Sequence, residues 1–149
     1  MGRYAVLEQG EGLSRTLWAW FGAPVQPTDR PELLVVSPRS AGTVPMEVLH
    51  CGTVLLPGDA GRLLGRICAR NAVSYGLSGR DTITLSSRRE GRLWVAVQRE
   101  LVCVDGTVLE RQEVAIGTCG DANVPRMLAL AGAGLLMGVS PQELERQCR

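Results

Sequence analysis

NAVSYGLSGRDTITLSS, residues 71–87, decides how this chain is read, because the hydrophobic pattern differs on either side of it. Within it, residues 72–75 and 82–86 read as strands, and Gly76, Ser78 and Gly79 supply a turn between them. Upstream, the runs at 4–7, 32–37 (ELLVVS) and 53–56 are almost wholly aliphatic. Strands of that kind are covered on both faces, which predicts a parallel sheet with the 72–75 strand as its fourth member.

The segments between these runs read as crossovers. Leu13, Leu17, Trp20 and Phe21 recur at helical spacing and predict a helix over 13–21, with Ser14 or Glu11 near its start as a cap. The Pro-rich stretch 23–31 reads as a surface connection. Pro45 predicts a short helix over 45–49, since proline suits a first helical position. A short amphipathic helix is expected over 61–69 through Leu63, Leu64, Ile67 and Cys68.

Downstream of Thr82 the period changes to two. Alternation over 82–86, 93–99, 101–104 and 107–116, with turn signals at Arg89-Glu90-Gly91 and Val104-Asp105-Gly106, predicts an antiparallel meander. A long apolar helix follows over 121–138, stopped by Gly138. Ser140-Pro141-Gln142-Glu143 then opens a short terminal helix with a Ser cap, Pro first and Glu third. The fold class is therefore α/β: a small, mostly parallel Rossmann-like sheet, then an antiparallel meander, then C-terminal helices. One domain is expected over 1–149, with the parallel part at 1–80, the meander at 81–117 and the helices at 120–149.

Composition narrows the chemistry. A net charge of +1 provides no field that would gather nucleic acid or an acidic membrane surface. All sixteen basic residues are Arg. Arg stays protonated, so mechanisms that need a lysine Schiff base or carbamate are excluded. Five cysteines without a CxxC pair and a single His argue against a structural zinc site or a full disulfide framework. The amino terminus lacks the apolar run of a secretory signal, and the apolar stretch 127–139 is shorter than the roughly 20 residues that span a bilayer. A reduced, cytoplasmic setting with no membrane contact is the expectation.

Two segments and the meander between them carry a resemblance. TVLLPGDAGRLLGRICARNAVSYGLS (53–78) is similar to the strand, Asn-x-Asp-Asp turn, helix and Tyr-Gly-Leu-Ser strand in the central, ATP-binding domain of the Mur ligases of bacterial cell-wall synthesis. GDANVPRMLALAGAGLLMGVSPQELERQ (120–147) resembles that family's helix beginning Gly-x-His-Asn-x-x-Asn-Ala-Leu-Ala and ending Leu-Gly-Val-x-Pro-Glu-Glu. The resemblance implies that Asp59 stands where an acidic residue lies near the nucleotide ribose, and that Asn123 is a surviving nucleotide-facing position. Gly120, Leu128 and Ala129 also match, while Ala122 replaces the His and Arg126 the second Asn.

The departures matter as much. The family holds ATP with a Gly-Thr-x-Gly-Lys-Thr loop after its first strand, whose lysine and N–H groups neutralise phosphate. Here that place reads Gly10-Glu11-Gly12-Leu13-Ser14-Arg15-Thr16, with no Lys and with an acidic residue between the glycines. The magnesium-binding positions, the lysine carbamylated in many members and the flanking UDP-binding and ligase domains have no counterparts. The resemblance thus implies a shortened relative, a pseudoenzyme with a degenerate phosphate loop and no cofactor, in which ATP or magnesium enters only if that loop still binds.

Four residues form the candidate binding set: Gly10, Gly12, Asp59 and Asn123. Each has an ordinary alternative, the glycines as a tight turn, Asp59 as a turn residue after Pro57-Gly58, and Asn123 as a helix cap. The switch-point rule for open α/β sheets is the general reason to expect a ligand at this end. His50-Cys51 reads as a satisfied His and a structural Cys, not a thiol-imidazole pair; Arg88, Arg89 and Arg92 read as a solvated face flanking a hairpin turn, with anion binding as the alternative; and the three Trp residues read as packing rings ahead of base or sugar stacking. No catalytic or metal-ligating residue is expected. The leading expectation is a non-catalytic binding or interaction module linked to peptidoglycan metabolism, partnered by a second copy or a cell-wall enzyme. The alternatives are a small nucleotide- or sugar-phosphate-binding protein using the crevice near Gly10, Asp59 and Asn123, and a homo-oligomeric assembly subunit.

Overall fold

A computed structural model describes residues 3–117 and 123–147. Four strands, β1 (Tyr4–Leu7), β2 (Leu33–Val36), β3 (Leu49–Pro57) and β4 (Ile67–Gly76), lie side by side in sequence order and run parallel. The order continues through β5 (Ile83–Arg89), β6 (Arg92–Val97) and β9 (Gln112–Gly117) to make one seven-stranded sheet. β7 (Leu101–Val102) and β8 (Val108–Leu109) form a separate two-stranded ribbon around the Asp105-Gly106 turn. The α/β class with a mostly parallel sheet and C-terminal helices is as the hydrophobic pattern indicates.

The 71–87 stretch is the seam of the sheet. β5 is parallel to β4, yet only Tyr75↔Ile83 and Gly76↔Thr84 pair, so β5 begins level with the end of β4 and runs on beyond it. β5–β6 and β6–β9 are antiparallel. The Glu90-Gly91 turn of the first hairpin has φ of 52° and 73°, the left-handed pair that matches the twist of its flanking strands.

Both faces of the parallel part are covered. On one, Leu33, Val35, Leu55, Val73 and Tyr75 meet α1 (Leu13–Phe21), α2 (Val124–Leu136) and α3 (Pro141–Gln147). On the other, Leu34, Val36, Val54 and Leu56 meet Ala60 and Leu63 of the β3–β4 connection. α2 is buried from Met127 through Leu136 because helices or strands surround it. Gly132 permits the close approach: a Cβ there would stand 3.1 Å from both δ-carbons of Leu55. The helix ends in a Schellman arrangement, with Gly138 N–H donating to Leu135 C=O and Val139 N–H to Gly134 C=O while Gly138 takes φ 95°. Ser140 Oγ accepts the Glu143 N–H, the expected cap of α3.

Several boundaries differ from expectation. Residues 45–48 form no helix; the short helical turn lies earlier, at Pro38–Ser40, where Ser37 caps it. The helix expected over 61–69 is a single 3-10 turn, Gly61–Gly65, and Ile67 and Cys68 already belong to β4. Apolar spacing cannot separate these outcomes over so few residues, whereas pairing to β3 from Leu49↔Ile67 onward decides for strand. The alternation over 107–116 is broken into β8 and β9. The last long helix, expected over 121–138, runs Val124–Leu136, because Asn123 caps its start and Gly138 takes a left-handed conformation past its end; the Gly120 and Ala122 matches lie outside the described residues. Strand order never reverses across β1–β5, so there is no topological switch point.

Candidate functional site

Loops at the carboxyl ends of the parallel strands gather at one end of the sheet with the start of α2. The turn after β1 is built from Glu8 to Gly12. Gly10 and Gly12 adopt φ of 75° and 77°, and Gly12 is the N-cap of α1 with no side-chain cap of its own. Neither Ser14 nor Glu11 caps this helix. Glu8 does so: its carboxylate accepts the N–H groups of Leu13 and Ser14, each at 2.9 Å, and the Ser14 hydroxyl as well. These are the orphan donors a phosphate takes in a phosphate-binding loop, and an internal anion already holds them.

The outer side of the turn is closed too. Arg126, from the first turn of α2, donates from Nε to Glu11 C=O at 2.9 Å and from Nη2 to Thr16 Oγ1 at 3.3 Å. A Cβ on Gly12 would lie 3.8 Å from Nη2 of Arg126. The Glu11 side chain turns the other way and accepts the N–H groups of Gln9 and Arg39, each at 3.0 Å. Burial opposes its ionisation, but the Ser37 hydroxyl, the two N–H groups and the Arg39 charge outweigh that and hold its carboxyl below the usual range.

Asn123 acts as a helix cap, its Oδ1 accepting the Arg126 N–H at 3.1 Å. Asp59 is exposed at the end of β3. Of the four candidate residues only Asp59 lines the crevice at this end of the sheet, a cavity of about 580 Å³ whose walls include Pro38, Pro57, Leu77 and Pro125. Asn123 stands two residues before Pro125 of that wall, and Gly10 and Gly12 form a separate turn with Gly10 exposed at its tip. The set therefore shares one end of the sheet without forming one pocket.

The residue that sequence reasoning missed is Asp81. It lies in the loop joining β4 to β5, is 5% exposed, and lines the crevice. Its Oδ2 accepts the Ser78 N–H at 3.1 Å. Space for it comes from two glycines on other strand ends: a Cβ would fall 2.1 Å from Oδ1 at Gly58 and 2.5 Å from Oδ2 at Gly76. The loop is further held by Gln98, whose Nε2 donates to Gly79 C=O at 3.0 Å and Asp81 C=O at 2.7 Å. No local signal marks Asp81, because its cradle is completed by Gly58 at the end of β3 and its loop is held by Gln98, both distant in the chain.

Tyr75 forms part of the floor. Its hydroxyl donates to Val36 C=O at 2.6 Å, and burial followed by the charges of Glu11 and Asp59 pushes its phenol far above the ordinary value. The other sharp sequence features divide: Trp20 packs against the core, whereas Trp18, expected to be a packing residue, is 58% exposed beside Arg15 and Pro24 because it lies on the outer face of α1. Arg92 pairs with Glu145 at 2.7 Å, and Arg89 stacks over Trp94 with its guanidinium carbon 5.4 Å from the ring centre. His50 is exposed on β3, and burial followed by the neighbouring Cys68 pushes the Cys51 thiol up to about 11. Among the described residues no three His, Cys, Asp or Glu converge as a metal site, and no helix is long and apolar enough to cross a membrane. No protein-family model matches the chain, and no curated protein matches it.

Proposed function

We propose that this protein is a non-catalytic binding module on a Mur-ligase-like scaffold, acting in cell-wall metabolism. The observation that carries the non-catalytic part is the Glu8 carboxylate on the first N–H groups of α1. A triphosphate seated there would have to displace it, with Glu11 adjacent and no lysine in the chain to offset the charge. Arg126, which reaches the turn from α2, is engaged by Glu11 C=O and Thr16. The cell-wall context is supported by the Tyr75-Gly76-Leu77-Ser78 and Asn123-to-Glu143 likeness alone.

Calorimetry with magnesium-ATP, magnesium-ADP and UDP-linked peptidoglycan precursors tests this reading. Silence with both adenine nucleotides is expected. A magnesium-dependent ATPase activity that purifies with the protein and disappears on changing Arg126 would overturn it.

A second reading, a small-ligand-binding protein, is favoured by the crevice at Asp59 and Asp81. Its volume falls within the range that encloses small molecules. Asp59→Ala is then expected to weaken the ligand while leaving the melting temperature of the free protein nearly unchanged, since Asp59 is exposed.

A further inference from the structure

The crevice at the carboxyl end of the sheet carries a chemical preference of its own. Asp81 is nine-tenths buried at its edge, and only one carboxylate oxygen is hydrogen-bonded, Oδ2 by Ser78 N–H. Oδ1 has no hydrogen-bond donor among the described residues. No fully buried side-chain oxygen in those residues goes without a partner, so Oδ1 is not fully sealed, and the carboxylate it belongs to lines the crevice. A sheltered carboxylate oxygen in this state gains from a donor brought by a ligand, and gains more from a charged one.

The surroundings select the sign of that donor. Asp59 lines the same cavity, and the charges of Glu11 and Asp59 are both felt at Tyr75 on its floor. Arg80 is the single cationic side chain among the described lining residues. The walls between these charges are Pro38, Pro57, Leu77 and Pro125, which offer an apolar body contact and few hydrogen bonds. Phosphates and carboxylates are therefore disfavoured, and an apolar body ending in an amine is favoured.

We infer that the crevice binds a small organic cation, an amine-bearing molecule whose ammonium donates to Asp81 Oδ1 while its apolar part lies against Leu77 and the prolines. This deepens the binding-module reading and rests on it. The glycines at 58 and 76 then serve to bring the carboxylate to the ligand.

The test uses two probes of equal size and opposite charge, phenethylamine and phenylacetate, titrated into the labelled full chain and followed by amide NMR shifts. Phenethylamine is expected to move Gly58, Gly76, Ser78 and Asp81, and phenylacetate to bind at least tenfold more weakly. Asp81→Asn keeps the shape of the side chain and is expected to weaken the amine at least tenfold. Asp59→Asn, at an exposed position, is expected to weaken it by about threefold through loss of a screened charge, and reads the same point should Asp81→Asn fail to fold. Equal or tighter binding of phenylacetate, no shift with either probe, or full amine affinity in both variants overturns the inference. Magnesium-ATP is run alongside. ATP binding would refute the closed-turn reading, whereas ATP silence with a failed amine titration refutes only the cation site.

Discussion

Gly58→Ala probes the crevice most directly. Gly58 does not use the left-handed backbone region, so alanine is conformationally acceptable there, and reducing the freedom of the unfolded chain would by itself stabilise by about 0.4–1 kcal/mol. Against this, the new Cβ would stand 2.1 Å from Asp81 Oδ1 and 2.9 Å from its Cγ. Ordinary contact begins near 3.4 Å, so the carboxylate has to retreat by more than an ångström. Asp81 is 5% exposed and tied to Ser78 N–H at 3.1 Å, so it cannot do so freely. Overpacking of this kind costs about 1–3 kcal/mol, and loss of a charge-assisted hydrogen bond is of similar size. The steric term wins, for a net destabilisation of about 1–2 kcal/mol, or a fall in Tm of roughly 2–8 °C for a chain of this length. Urea unfolding of a double-mutant cycle isolates the cause. In an Asp81→Ala background the same substitution meets no carboxylate and is expected to be neutral or slightly stabilising, giving a coupling of about 2 kcal/mol. Additivity of the two changes within about 0.5 kcal/mol would show that the carboxylate does not occupy the glycine cradle, and the reasoning about the crevice would fail with it.

Glu8→Ala is expected to cost about 1–2 kcal/mol in chemical denaturation by unpairing the Leu13 and Ser14 N–H groups, with Glu8→Gln costing less. Tyr75→Phe removes the 2.6 Å bond to Val36 C=O and is expected to cost about 1 kcal/mol. Because the folded phenol of Tyr75 is raised, its contribution is complete below the unfolded value near pH 10 and is lost as pH climbs toward the folded value, so phenolate absorbance should rise for the unfolded chain before it rises for Tyr75. Glu11 works in the opposite direction. Its lowered folded value stabilises above about pH 4.3 and is lost on further acidification, so Glu11→Gln should flatten the acid limb of a stability-against-pH curve. With Cys119 and Cys148 changed to Ser, thiol labelling at pH 8 should reach exposed Cys68 well before Cys51, whose thiol sits near 11, or buried Cys103.

Local pattern was enough to locate β1, α1, β2 and the cores of β3 and β4: α1 through its helical spacing, and the strands through short aliphatic runs too brief for a helix and bounded by Gly, Pro or polar residues. The two hairpin turns and the capped start of α3 were equally legible, since glycine and Ser-Pro-x-Glu act through local backbone chemistry. Short apolar stretches such as 61–69 were not, because their fate depends on a strand partner that the local sequence does not name. The candidate site divides the same way. Missing lysine and an acidic residue in the Gly10–Gly12 turn could be read directly, but its closure depends on Arg126, which is 115 residues from Glu11. Asp81 became notable only when β3 and β4 brought two glycines to it. Periodicity and turn chemistry are local properties that a chain carries before it folds. Strand order, the two-pair seam between β4 and β5, and which charged group faces which cavity are consequences of long-range packing, and they exist only once the sheet has assembled.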